Sequence, residues 1–144
     1  MQENYLISIK GTQFFENSTD KTEVLTAGNY IHKTDNKFIT YSEYNEEKPS
    51  KRLTSVIKVE GNDKVTVIRG GEVKSRLILE KGRRHQCHYN TPFGDLMVGV
   101  FADSIINELN DNGGCLKVSY SLDFNADFAC RNEIEIQINE KGEH

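Results

Sequence analysis

Apolar side chains recur at every second position along most of this 144-residue chain, and the fold has to satisfy that period. In Glu133-Ile-Glu-Ile-Gln-Ile-Asn139 the alternation is strict. Ile134, Ile136 and Ile138 share one face, and Glu133, Glu135 and Gln137 share the other, as in a half-buried strand. Leu116, Val118, Tyr120 and Leu122 form the same stripe, with Lys117, Ser119 and Ser121 opposite. Tyr5, Ile7 and Ile9 open a first strand, and Val24, Thr26, Gly28 and Tyr30 share a face of a second. Composition agrees, with 43 Val, Ile, Thr, Tyr and Phe residues against 15 Ala, Leu and Met. Such a balance excludes a helical bundle and disfavours a doubly wound α/β fold.

Turn chemistry punctuates the stripes. Glu60-Gly-Asn-Asp63 and Arg69-Gly-Gly-Glu72 are two-residue hairpin signals, and Glu80-Lys-Gly82 is a third candidate. Thr91-Pro-Phe-Gly94 fits a type I turn, with Gly94 completing a three-residue hairpin. Asp111-Asn-Gly-Gly114 and Asn125-Ala126 mark further reversals, and Asn45–Ser50 is a wetter connection around Pro49. The predicted strands are roughly 4–15, 22–32, 36–44, 51–60, 63–69, 72–80, 83–90, 95–101, 104–110, 115–124 and 127–139. The segment 102–110 carries a competing signal, because Asp103 can cap a helix and Ile105, Ile106 and Leu109 have near-helical spacing. Its strand neighbours favour a strand. Consecutive hairpins make an antiparallel meander, and closing it removes two aggregation-prone edges. The expectation is an all-β, antiparallel meander closed into a β-barrel, one domain over 1–144.

The N-terminus shows no basic and apolar leader, and no apolar run approaches a membrane span. Cys87, Cys115 and Cys130 lack CxxC spacing, so three thiols in a reducing cytoplasm are expected rather than a disulfide framework or zinc site. The net charge of −4 makes nucleic acid an improbable partner. Its layout is uneven. Five of six arginines lie between Arg52 and Arg84, and six acids crowd Asp123–Glu143. Either the arginines form a face for an anion, or basic and acidic strands neutralise each other across a sheet.

Strict alternation along Val65, Val67 and Arg69 aims Arg69 into the barrel. A buried guanidinium must be paired, and its fork suits a carboxylate or phosphate. A structural ion pair with Glu43, or a side chain snorkelling at the rim, is the competing account. Tyr30, Tyr41, Tyr89 and Tyr120 each carry a polar tip on an apolar body. They either orient a small ligand or fill the core. Arg83, His85, Cys87 and Tyr89 share one strand face, so His85 and Cys87 are a possible metal or base–thiol pair without a third ligand. Signatures for nucleophile elbows, P-loops, zincins, EF-hands and dinucleotide folds do not occur, so no cofactor or metal is expected.

Several segments resemble a known family in order and spacing. These are Ile9-Lys-Gly-Thr-Gln13, Ala27-Gly-Asn-Tyr30, Phe38-Ile-Thr-Tyr-Ser-Glu43, Ile68-Arg-Gly70, Tyr89-Asn-Thr-Pro-Phe-Gly94, Gly113–Tyr120 and Arg131–Ile136. The chain resembles the YwiB-like bacterial domain of unknown function, placed among the calycins, which are lipocalin-like barrels. The resemblance implies a lipocalin-like barrel and a bacterial cytoplasmic setting, and no activity. The expectation for function is therefore a barrel binding a small amphipathic or anionic ligand through Arg69, Glu43, Tyr30, Tyr41, Tyr89 and Tyr120. The alternatives are a filled structural or interaction module that can form a homo-oligomer, or an enzyme using Arg69 and Glu43.

Overall fold

The computed structural model describes residues 4–33, 36–44, 52–70, 75–91, 94–124 and 127–141. Ten antiparallel strands follow one another: β1 (Tyr5–Phe14), β2 (Thr19–His32), β3 (Asn36–Tyr44), β4 (Arg52–Glu60), β5 (Lys64–Arg69), β6 (Ser75–Glu80), β7 (Arg84–Thr91), β8 (Gly94–Asn110), β9 (Gly113–Phe124) and β10 (Asp127–Glu140). Among the described residues there is no helix. Sequence neighbours pair everywhere except between β6 and β7, and β1 pairs with β10 to join the two ends of the meander. That ladder runs from Tyr5 opposite Glu140 to Phe14 opposite Arg131. The result is a nearly closed barrel, as the edge argument requires.

The one interruption is the seam between β6 and β7. Lys81 and Gly82 form the connection, and Gly82 takes a φ of 75°, open to glycine without strain. Side chains and single bonds replace a ladder there. The Ile78 N–H donates to Cys87 Sγ at 3.4 Å. His85 Nε2 lies 2.8 Å from Glu80 Oε1. The Gly82 N–H donates to the Ala102 carbonyl at 3.0 Å.

The segment 102–110 is strand, continuous with 95–101 rather than separate from it. Register slips between Ala102 and Ser104, leaving Asp103 as an extra residue in β8. The bulge moves the inward set from Val98, Val100 and Ala102 to Ile105 and Leu109. The near-helical spacing in the sequence comes from Ile106, an exposed apolar residue on the outer face beside inward Ile105 and Leu109. A second register slip falls between Phe128 and Cys130 in β10. Two turns differ in length from expectation. Glu60 pairs with Lys64, so β4 and β5 are joined by three residues rather than two. Thr91 pairs with Gly94, so two residues, not three, join β7 and β8. Those two, 92–93, lie outside the described residues, as do 125–126, 71–74 and 45–51 of the other predicted turns.

One end of the barrel is packed solid. Ile7, Ile39, Val59, Val65, Leu116 and Ile138 meet there, none more than 1% exposed. Gly28 lies opposite both Tyr5 and Tyr41. A Cβ on Gly28 would collide with Ile7 Cδ1 and the Thr40 carbonyl, so its absence makes room for the core. Tyr30 donates from its hydroxyl to the Asn110 carbonyl at 2.7 Å. Its ring meets Tyr5 edge-on, with centroids 5.7 Å apart. Lys37 Nζ reaches the Leu109 carbonyl at 3.2 Å, and Asn107 Nδ2 reaches the Gly61 carbonyl at 2.8 Å. The last turn-ward stretch of β8 is thereby strapped across β2, β3 and the β4–β5 hairpin.

Burial, then the neighbouring Tyr5 and Asp111, push the Tyr30 hydroxyl from 10 up to about 12. Below pH 10 it is neutral in folded and unfolded chains alike, and between about 10 and 12 only the unfolded chain ionises, so stability falls there. Tyr30→Phe should cost about 1 kcal/mol at neutral pH through the lost hydrogen bond. The same variant should lose stability less steeply than wild type above pH 10 in urea denaturation.

Candidate functional site

The other end of the barrel is hollow. A cavity of about 350 Å³ lies among Ile9, Val24, Ile57, Val67, Leu77, Leu79, Leu122, Ile134 and Ile136, with Gln13, Thr22, Tyr41, Tyr120 and Arg69 supplying polar atoms. The walls come from β1, β2, β3, β4, β5, β6, β9 and β10, because each strand turns alternate residues inward. The volume is about that of a dozen water-sized groups. It falls in the range of small-molecule sites, and its lining has their character, apolar with a few convergent polar groups.

Of the six residues expected at a site, three line this cavity: Arg69, Tyr41 and Tyr120. Tyr41 and Tyr120 are buried. Arg69 is exposed yet lines the cavity, so it stands at the mouth, with its strand's alternation turning it to the interior. All three are held by interactions of their own. Tyr30 does not join them. It closes the packed end, where its hydroxyl reaches the Asn110 carbonyl and its ring meets Tyr5; inward parity alone does not fix that depth. Glu43 pairs opposite Leu53, two residues beyond Tyr41, and Tyr89 pairs opposite Leu96. The side chains of Glu43 and Tyr89 lie outside the described residues.

The ladders align Tyr41, Ser55 and Arg69 in one row across β3, β4 and β5. Ser55 was not singled out from sequence. Its parity with Ile57 and Val59 was the available signal, a hydroxyl inside an apolar stripe. Ser55 is 1% exposed, and its Oγ has no hydrogen-bond partner among the described residues. A second inward row carries Gln13, Asn132 and Tyr120. Asn132 is buried there and donates from Nδ2 to Cys130 Sγ at 3.5 Å.

The pairing of His85 with Cys87 has a structural explanation at the seam. His85 Nε2 faces Glu80 and Cys87 Sγ accepts from Ile78. The hydrogen bond from His85 holds the Glu80 carboxyl below its usual range, with Arg83 adding to the effect. Among the described residues, no cluster of three or more His, Cys, Asp or Glu is placed to hold a metal.

The arginines do not share one face. Arg69 stands at the cavity mouth and Arg83 lies 3.9 Å from Glu80. Arg84 grips Asp123 through two bonds of 2.6 and 2.9 Å. That bridge crosses β8 at Gly99, where any Cβ would strike both partners. On the outer face of β10, Arg131 lies 4.0 Å from Glu133, and lysines of β1 and β9 stand opposite the next acid. Glu135 sits between Lys10 and Lys117, and Lys10 also faces Glu23. These residues border an outer concavity of about 640 Å³, in which Lys10, Lys21 and Lys117 balance Glu23, Glu133 and Glu135.

The hollow and packed ends meet on one strand, which gives a direct comparison. Val67→Phe projects into the cavity and should change stability by less than about 1.5 kcal/mol, whereas Val65→Phe overfills the core and should cost about 1–3 kcal/mol. Urea denaturation of the two variants checks this, and equal losses would contradict a hollow end.

Comparison with known proteins fits the fold. The family model for DUF1934, a domain of unknown function, matches residues 7–136. Among solved structures, the chain is similar to the crystal structure of ywiB protein from Bacillus subtilis. The TM-score is 0.82 at 19% identity, over 97% of this chain and 93% of that one. No curated protein matches.

Proposed function

The chain belongs to the DUF1934 family of domains of unknown function, and from its interior we propose that it binds a small amphipathic or anionic molecule inside the barrel. The cavity at the Arg69 end carries this reading. A barrel built only as a module has no use for an unfilled end, since a void forfeits packing contacts. Apolar walls take the body of the ligand, and Arg69, Tyr41 and Tyr120 face its polar part. Glu43, two residues beyond Tyr41, is proposed to steady Arg69 at the rim, and Tyr89 to border the same end. A lipocalin-like, calycin relationship belongs to the same proposal and rests on an up-and-down meander closed around a cavity. So does a bacterial cytoplasmic setting, which free Cys87, Cys115 and Cys130 suit because thiols persist in reducing compartments.

An interaction module is the second reading. Leu25 is 72% exposed and lies diagonally beside exposed Leu6 on the outer face of β1 and β2. A homo-oligomer contact there predicts a concentration-dependent mass in light scattering that Leu25→Ser abolishes.

Decanoate is a suitable probe of the leading reading. Calorimetric titration should give a Kd on the order of 10–100 μM. Ile57→Trp, which places an indole in the cavity, should remove binding while keeping the β-sheet circular dichroism. Absence of binding to wild type, or retention of full affinity by Ile57→Trp, would overturn it.

A further inference from the structure

Within the cavity reading, on which this inference rests, Ser55 is the residue without an explanation. A hydroxyl removed from water costs free energy unless it is hydrogen-bonded, and native interiors leave few such groups unpaired. Ser55 Oγ is buried and unpartnered among the described residues. Its cross-strand neighbours on both sides, Tyr41 and Arg69, line the cavity, as does Ile57 two residues along its own strand. The orphan is therefore on the inward face, between two residues that line the cavity, although its own covered side chain is not part of that lining. For folding alone, alanine would serve better at this position, because it fills the same space without a polar atom to satisfy.

We propose that the Tyr41–Ser55–Arg69 row is the head-group subsite of the cavity, and that its ligand is a small monocarboxylate with an apolar tail. Ser55 donates to one carboxylate oxygen, and the guanidinium of Arg69 supplies the opposite charge. A carboxylate fits this row because an ionised acceptor strengthens each bond, and because a guanidinium fork matches its planar geometry. Ser55 is covered and stands beside the cavity lining, so the exposed Arg69 side chain has to move before the hydroxyl meets a ligand. The apolar tail then lies along Ile57, Val67 and Ile136.

The test compares decanoate with decanol on wild type, Ser55→Ala and Arg69→Met by calorimetry. Wild type should prefer decanoate by tenfold or more. Ser55→Ala should weaken decanoate roughly tenfold, in line with a hydrogen bond to a charged group, and shift decanol much less. Arg69→Met should bring the two ligands to similar affinity. The ligand-free Ser55→Ala protein should melt at or above the wild-type temperature, since an unsatisfied hydroxyl has been removed. Binding of decanol and decanoate with equal affinity would overturn the head-group assignment and leave the cavity reading standing. So would a Ser55→Ala variant that melts lower and keeps the decanoate preference, because the hydroxyl would then serve the fold. Failure of both ligands to bind would overturn the cavity reading itself.

Discussion

The pairing of β1 with β10 is the constraint on which the rest of the molecule depends. Without it, the strands would fall into two separate sheets, β1–β6 and β7–β10, each with free edges, because β6 and β7 share no ladder. With it, the two ends of the chain are joined by backbone hydrogen bonds from Tyr5–Glu140 to Phe14–Arg131, and every inward side chain faces others across a tube. The remaining break falls between β6 and β7. There, the turn at Lys81-Gly82 leads into β7 without a ladder, and Cys87, His85 and Glu80 hold the seam with side chains. Residues that looked like a metal pair in the sequence are thus part of how the barrel is closed.

Closure creates an interior, and the side chains at each level decide whether that interior is filled. At one end, Tyr30, Ile7, Ile39 and Leu116 fill it, while Lys37, Asn107 and Tyr30 strap the end of β8 across the opening. At the other, the inward set leaves about 350 Å³ bordered by Arg69, Tyr41 and Tyr120. The same alternation of residues yields both outcomes. The difference lies in which rows meet at which depth, and that is a property of register.

This is also why the fold was more legible in the sequence than the site. Strict alternation in β9 and β10, and the Gly-rich turns, displayed strands and their order directly. Bulges at Asp103 and between Phe128 and Cys130 interrupt the period by one residue, and a period-two reading has no way to place them. Inward parity was correct for Arg69, Tyr41, Tyr120 and Tyr30, yet parity does not give depth, so Tyr30 was grouped with residues at the opposite end. Ser55 was visible as a polar residue in the Ile57–Val59 stripe, but its isolation from hydrogen-bond partners appears only once Tyr41 and Arg69 are aligned beside it. The bridge from Arg84 to Asp123 passes over a strand that separates them, and only the missing side chain of Gly99 hinted at it.

A barrel that is packed at one end and hollow at the other is the central claim, and xenon reports on it without presupposing any ligand. Xenon enters apolar cavities and is excluded from close-packed cores. A crystal of the protein under xenon pressure should show density bordered by Ile57, Leu77 and Ile136, and none among Ile7, Ile39 and Leu116. Absence of xenon at the Arg69 end would contradict the account, because it would mean that the side chains there collapse to fill the barrel.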